Sequence, residues 1–225
     1  MVVFFDLDGT LTDPKEGIVA CIRFALLELG VEIDDRVPLE SCIGPPLRES
    51  FLALCQDERL VEKAVALYRQ RFSSVGLYEN YLYDGIEDCL RRLKLRRLKH
   101  KATSIYVVTS KPTMYAEQIV KHFNLQGYFQ RVYGSNLDGT LCNKTELLEY
   151  VLKSEKIDLS ELTSEAMMVG DRKFDVVGAK NNKMRAIGVL WGYGTEQELR
   201  DAGADEICRH PSQLYECLTG YLMDS

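Results

Sequence analysis

The segment VVFFDLDGTLTD, residues 2–13, decides the fold because it joins an apolar stretch to an acidic, glycine-containing loop. The run Val2–Phe5 predicts a buried strand that ends at Asp6. Asp8 and the Gly9–Thr10 turn follow directly, and the turn offers backbone N–H groups to an anion. The segment therefore predicts a strand with a polar site at its carboxyl end.

Beyond Gly85 the hydrophobic pattern alternates between strand and helix periods. We predict strands at 104–109, 131–134, 166–169, 185–190 and 206–208, with helices between them. Such alternation is typical of right-handed β-α-β units, which form a parallel sheet covered by helices on both faces. We therefore predict an α/β fold with a doubly wound parallel sheet, in which ligands bind at the carboxyl ends of the strands.

The segment between the first strand and Gly85 has a different pattern. Apolar residues recur at helical spacing after Lys15, near Leu47 and near Val61, and no convincing strand lies between them. We predict an inserted helical cap domain of residues 14–81. The core α/β domain would then consist of residues 1–13 and 82–225.

Composition limits the possible partners. The net charge of −6 offers no general attraction to nucleic acid, and we interpret the basic run at 91–101 as a solvated helix end. The seven cysteines lack any C-x-x-C pair, which disfavours a zinc site or a disulfide framework. We do not expect the start to act as a signal peptide, since it lacks a basic region and reaches Asp6 early, and no apolar run reaches membrane length. We expect a cytoplasmic monomer or homodimer that binds neither nucleic acid nor membrane.

Polar residues follow four of the predicted strands, and the ends of parallel strands meet at one edge of a sheet. Four carboxylates gathered there would raise one another's pKa values, and a hard divalent cation resolves that conflict. Magnesium prefers such oxygen ligands, while a lysine and hydroxyl groups suit an anion. The pattern predicts a magnesium-dependent phosphoryl-transfer site formed by Asp6, Asp8, Thr109, Ser110, Lys144, Asp171 and Asp175. Lys111 follows the same predicted strand as Thr109 and Ser110 and is expected at the same edge.

These residues also carry a family resemblance. FFDLDGTLTD, VVTSK, the isolated Lys144 and VGDRKFD resemble, in this order, the four signature motifs of the haloacid dehalogenase superfamily. The resemblance covers essentially the whole chain, and the helical insertion looks like the small cap of that family. The late stretch GVLWGYGTEQELRDAGADEI, residues 188–207, resembles the phosphoglycolate phosphatase-like branch. The resemblance implies a phosphatase acting on a small phosphorylated metabolite, with phosphoglycolate and nucleoside monophosphates as leading candidates.

The resemblance implies a role for each matching carboxylate. Asp6 would attack phosphorus and become an aspartyl-phosphate, and Asp8 would act as general acid and then as general base. Mg²⁺ would be held by the Asp6 side chain, the Asp8 main-chain carbonyl and Asp171. Asp175 would be a direct or indirect partner of the metal, although it can also serve simply as a helix cap.

Other matching residues would bind the substrate. Thr109, the Ser110 backbone and the Gly9 turn would bind phosphate oxygens, and Lys144 would neutralise charge on Asp6 and on the transferring group. Arg48 in the cap would recognise the substrate, or else be a surface arginine at a helix start.

Asp8 distinguishes between branches of the superfamily. Dehalogenases and phosphonoacetaldehyde hydrolases lack an acidic residue there, so Asp8 indicates phosphate esters. A sugar phosphomutase and, from another functional class, a catalytically silent binding protein remain as alternatives.

The sequence LDGTL occurs twice, at 7–11 and at 137–141. Asp6 precedes the first copy, whereas Asn136 precedes the second, and an amide is a poor nucleophile at phosphorus. We predict that the second copy is a turn leading to Lys144, because Asn, Asp and Gly suit turns. It is not expected to form a second active site.

Overall fold

The computed structural model describes residues 1–33, 36–100, 103–159 and 165–220, with the side chains of residues 99 and 100 excepted. The chain divides into two compact units. We call the first, Met1–Thr12 with Leu82–Ser225, the α/β unit, and the second, Asp13–Tyr81, the helical unit.

Strands and helices alternate along the α/β unit, as the sequence pattern predicts. In chain order the strands of the protein are β1 (Val2–Phe5), β2 (Thr12–Asp13), β3 (Tyr81–Leu82), β4 (Ser104–Pro112), β5 (Arg131–Ser135), β6 (Ala166–Gly170), β7 (Arg185–Val189) and β8 (Glu206–Cys208). The helices are α1 (Lys15–Glu28), α2 (Leu47–Cys55), α3 (Glu58–Arg71), α4 (Ile86–His100), α5 (Thr113–His122), α6 (Lys144–Ser154), α7 (Lys173–Asn181), α8 (Glu196–Asp201) and α9 (Leu214–Thr219).

Six parallel strands form the main sheet, in the order β5-β4-β1-β6-β7-β8. The strand β1 lies in the middle, and Phe5 pairs with Val107 on one side and Val169 on the other. The residues that follow these three positions therefore meet at one edge of the sheet. The predicted doubly wound α/β fold is confirmed, and β1 is buried along its whole length.

One element boundary differs from the sequence prediction in a way that affects the site. The strand β4 continues to Pro112 instead of ending at Thr109, with a shift of register between Val108 and Pro112. The sequence did not indicate this extension because residues 110–112 lack the apolar character of a buried strand. At the start of α8, Thr195 Oγ1 accepts from Glu198 N, and the Glu198 carboxylate accepts from Arg172 Nε and Lys173 N.

The helical unit contains α1, α2 and α3, which bury apolar residues against one another. The helix α1 buries Ile18, Ile22 and Leu26 and ends before Gly30, whose φ of 67° is the left-handed conformation that favours glycine. The side chain of Asp57 caps α3 by accepting from Arg59 N. None of the helices in the described part of the chain is long and apolar enough to cross a membrane.

Candidate active site

Three buried carboxylates meet at the carboxyl edge of the main sheet. Asp6 directly follows β1, Asp171 directly follows β6, and Asp175 lies in the first turn of α7. Their exposed fractions are 7%, 0% and 2%, and one oxygen of each lies within 4.8 Å of the others. Such burial is costly for ionised groups unless a cation accompanies them.

Lys144 supplies one such cation from the first turn of α6. Its Nζ lies 2.9 Å from Asp6 Oδ1, 2.8 Å from Asp175 Oδ1 and 2.9 Å from the carbonyl oxygen of Val108. Burial alone would lower the pKa of Lys144, but the Asp175 and Asp6 carboxylates raise it above its ordinary value. The lysine is therefore charged, and the carboxylates of Asp6 and Asp175 hold its ammonium group in place.

Local sequence explains how Lys144 reaches this position. Asn143 caps α6 by accepting from Thr145 N at 2.9 Å, which places Lys144 at the first helical position. Gly178 on α7 lets the two helices approach closely, because a Cβ there would lie only 2.8 Å from Lys144 Cγ. The close contact aligns the lysine with the carboxylates.

Asp171 is enclosed by two glycine-containing loops. Its Oδ2 accepts from Tyr193 N at 2.7 Å, and its Oδ1 accepts from Thr10 Oγ1 at 3.4 Å. A Cβ on Gly9 would lie 2.3 Å from Asp171 Oδ2, so only glycine fits there. Burial, together with Asp175 and Asp6, raises the pKa of Asp171 well above its ordinary value.

The loop at residues 191–194 belongs to this site, although sequence reasoning assigned it no role. Trp191 Nε1 donates to the Thr10 carbonyl at 2.9 Å, which ties the loop to the turn after β1. A Cβ on Gly192 would lie 2.3 Å from the Gly9 carbonyl oxygen. The two glycines that flank Tyr193 could have indicated this role from the sequence, because a close approach between two backbone segments commonly requires glycine.

Asp175 both caps a helix and joins the cluster. Its Oδ2 accepts from Arg172 N at 3.2 Å at the start of α7, while its Oδ1 faces Lys144. Burial raises the pKa of Asp175 to about 6, although Lys144 opposes this shift. The Asp175 side chain thus serves as the helix cap, while its role as a partner of the metal stays a prediction.

Asp8 is not one of the three clustered carboxylates, and its side chain pairs with Lys111. The Lys111 Nζ lies 2.8 Å from Asp8 Oδ2, and the two side chains are 6% and 14% exposed. Asp8 Oδ1 is buried and has no hydrogen-bond partner among the described residues. Burial raises the pKa of Asp8, while Lys111 lowers it. Lys111 was predicted to lie at the end of the strand, but its pairing with Asp8 was not predicted.

Thr109 and Ser110 occupy the extended end of β4. Thr109 is 2% exposed, and its Oγ1 accepts from Lys111 N at 3.3 Å. Ser110 Oγ donates to the Cys142 carbonyl at 2.9 Å, and the Ser110 carbonyl accepts from Ser135 Oγ at 2.8 Å. These bonds hold the backbone of β4 beside the site.

The second LDGTL copy forms a turn, as predicted. Asn136 N donates to the Thr140 carbonyl at 2.9 Å, and Asp138 Oδ1 accepts from Thr140 N at 2.9 Å. Gly139 has a φ of 92°, which explains the glycine of this copy. The turn precedes α6 and so leads to Lys144.

Arg48 lies in the helical unit, in the first turn of α2. It is exposed and forms an ion pair with Glu62 of α3.

The donor set fits a divalent cation. Asp6, Asp171 and Asp175 offer buried hard oxygen ligands close together, and burial, together with Asp175 and Asp6, raises the pKa of Asp171. When ionised, these three carboxylates carry −3 and Lys144 carries +1, so one divalent cation would balance the charge of the cluster.

The model of the family described as haloacid dehalogenase-like hydrolase matches residues 3–189. The chain belongs to this family. The resemblance stated from the motifs is thereby confirmed.

Individual haloacid dehalogenase-like proteins match over nearly the whole chain. A 5'-nucleotidase of Pseudomonas aeruginosa is 41% identical over 97% of this chain and 96% of its own length. The tyrosine-protein kinase PtkA of Mycobacterium tuberculosis is 35% identical over 96% of this chain and 70% of its own length. A structure described as a predicted phosphatase from Clostridium acetobutylicum has a TM-score of 0.87 and 38% identity, covering 97% of this chain and 98% of that chain. Phosphoglycolate phosphatases are among the relatives of lower identity.

Proposed function

We propose that the chain is a magnesium-dependent phosphatase that hydrolyses a small phosphate monoester through an aspartyl-phosphate. The observation that carries this proposal is the position of Asp6. Its carboxylate lies at the end of the central strand, in contact with Lys144 and beside Asp171 and Asp175. A nucleophile for phosphorus, a fixed cation and a cluster suited to a metal thus share one site.

In the first step a carboxylate oxygen of Asp6 attacks phosphorus. The bond between phosphorus and the ester oxygen breaks, and its electron pair goes to that oxygen. Asp8 donates a proton to the same oxygen, so the product leaves as a neutral alcohol. Lys144 stabilises the negative charge that is shared between Asp6 and the transferring group.

In the second step Asp8, now a carboxylate, removes a proton from a water molecule. The water oxygen attacks phosphorus, and the bond between phosphorus and Asp6 breaks with its electron pair returning to the carboxylate. Inorganic phosphate leaves, and both aspartates regain their starting state. Thr109 and the backbone of Gly9 and Ser110 bind the phosphate oxygens in both steps.

Mg²⁺ would be held by Asp6, Asp171 and the Asp8 main-chain carbonyl, with Asp175 as a further partner. When bound, it supplies positive charge to the phosphoryl oxygens. Asp171 is held in place for this role by Tyr193 N and Thr10 Oγ1.

A nucleoside 5'-monophosphate is the first substrate to consider. The support is the 41% identity to a protein named 5'-nucleotidase over 97% of the chain, compared with 27% for a phosphoglycolate phosphatase of Aquifex aeolicus. We assign substrate recognition to the helical unit as a cap, with Arg48 as its cation for charged substrates. We also place the enzyme in the cytoplasm, in keeping with its seven cysteines, all within the described residues and none in a disulfide.

The decisive experiment measures phosphate release from nucleoside 5'-monophosphates, phosphoglycolate and hexose phosphates, with Mg²⁺ and with EDTA. Release that requires Mg²⁺ and is lost in Asp6→Asn supports the proposal, and the preferred compound identifies the substrate class. Conversion of one sugar phosphate to another without free phosphate would instead indicate a phosphomutase. Neither release nor transfer from any compound would favour a silent binding protein.

A further inference from the structure

The ion pair between Lys111 and Asp8 is the buried feature of this edge that has no role in the steps above. The two charges are 2.8 Å apart, with side chains 6% and 14% exposed. A buried lysine loses hydration and requires a partner, and here Asp8 provides it. The contact leaves the other Asp8 oxygen, Oδ1, buried and without a partner among the described residues.

The backbone that carries Lys111 is held from several sides. Thr109 Oγ1 accepts from Lys111 N at 3.3 Å, and Pro112 follows immediately and restricts the backbone. On the neighbouring strand β5, a Cβ at Gly134 would lie 2.3 Å from the Lys111 carbonyl oxygen. The lysine therefore projects from a supported strand end, which suits a side chain that must hold another in one position.

We propose that Lys111 is a positioning residue for Asp8: it holds Oδ2 so that Oδ1 faces the leaving-group oxygen. This inference rests on the proposed function, in which Asp8 is the general acid. As the ester bond breaks, the proton moves from Asp8 Oδ1 to the ester oxygen, and Lys111 keeps its own protons throughout. Lys111 thus acts through Asp8, whereas Lys144 acts on Asp6 and the transferring phosphoryl group.

Comparing two esters with different leaving groups distinguishes a lysine that positions Asp8 from a lysine that binds the phosphoryl group. An alkyl phosphate, such as a nucleoside 5'-monophosphate, expels a strongly basic alkoxide and depends on the general acid. The aryl ester 4-nitrophenyl phosphate expels a weakly basic phenolate and needs little protonation. Both esters present the same phosphoryl group, so a lysine that binds phosphate would affect them equally.

The test compares kcat/KM of Lys111→Met with that of the wild type on both esters. This ratio covers only the steps up to loss of the alcohol, so the later use of Asp8 as a base does not enter. We expect about a tenfold to hundredfold loss on the nucleotide and less than about threefold on the aryl ester, as part of what a general acid contributes. Equal losses on the two esters would overturn the inference.

A double-mutant cycle with Asp8→Asn completes the test. In that background the lysine has no carboxylate to hold, so adding Lys111→Met should change kcat/KM by less than about twofold. A further tenfold loss would show that Lys111 acts elsewhere and would overturn the inference. The cycle also remains informative if Lys111→Met alone folds poorly, because the double variant contains no unpaired buried charge.

Two controls separate other causes. Lys153→Met removes an exposed lysine of α6, whose side chain is 73% exposed, and should leave both ratios unchanged. Lys111→Arg keeps the charge and should recover part of the loss on the nucleotide. If the wild-type protein released phosphate from neither ester, that result would contradict the proposed function and therefore this inference as well.

Discussion

Replacing Lys144 with methionine should destabilise the metal-free protein strongly. The Nζ lies 2.9 Å from Asp6 Oδ1 and 2.8 Å from Asp175 Oδ1, and each contact contributes about 6 kcal/mol of Coulomb energy at an effective dielectric constant of about 20. The cost of burying the lysine offsets much of this energy. Removing one partner of a buried ion pair costs about 3–5 kcal/mol in net terms, because the carboxylates remain buried.

For a chain of this size, 1 kcal/mol changes Tm by about 2–4 °C, so we expect a fall of about 10 °C in EDTA. The fall should be smaller with saturating Mg²⁺, because a cation bound to Asp6 and Asp171 neutralises part of the buried negative charge that the lost lysine leaves unpaired. Thermal unfolding followed by circular dichroism, with and without the metal, measures both values.

Lys153→Met is the matched control, since it removes a lysine from the same helix at an exposed position. It should shift Tm by less than about 2 °C. A Lys144→Met protein that melts within about 2 °C of the wild type in EDTA would refute the reasoning. It would mean that the carboxylates become neutral at little cost.

Three further outcomes follow from the site. Asp6→Asn should abolish phosphate release while Asn136→Asp leaves it near the wild-type rate, since Asn136 lies in a turn; near-normal release by Asp6→Asn would contradict the assignment of the nucleophile. The rise in Tm on adding Mg²⁺ should be larger at about pH 7.5 than at about pH 5. Burial raises the pKa values of Asp171 and Asp175, the latter to about 6, so the metal must displace protons at the lower pH. Equal rises in Tm at the two pH values would contradict this reasoning. Arg48→Ala should raise the KM of a charged nucleotide much more than that of 4-nitrophenyl phosphate, and equal kinetics on both would show that Arg48 does not recognise the substrate.

The elements of the α/β unit were predictable because their signals are local. The apolar run before Asp6 and the helical spacing after Lys144 indicate strand and helix from a few neighbouring residues. The extension of β4 to Pro112 was missed because its last residues have no apolar pattern, and hydrogen bonds from other segments support them.

The sequence by itself determined the order of strands and helices, the family, and the set of residues gathered at the sheet edge. These follow from periods of two and about 3.6 residues and from short motifs at strand ends. The pairing of Lys144 with Asp6 was expected from the family resemblance, but only the tertiary structure showed that Lys144 also pairs with Asp175 and that Lys111 pairs with Asp8. The physical reason is that an ion pair depends on distance and burial, and residues 138 positions apart acquire both only when the sheet has formed.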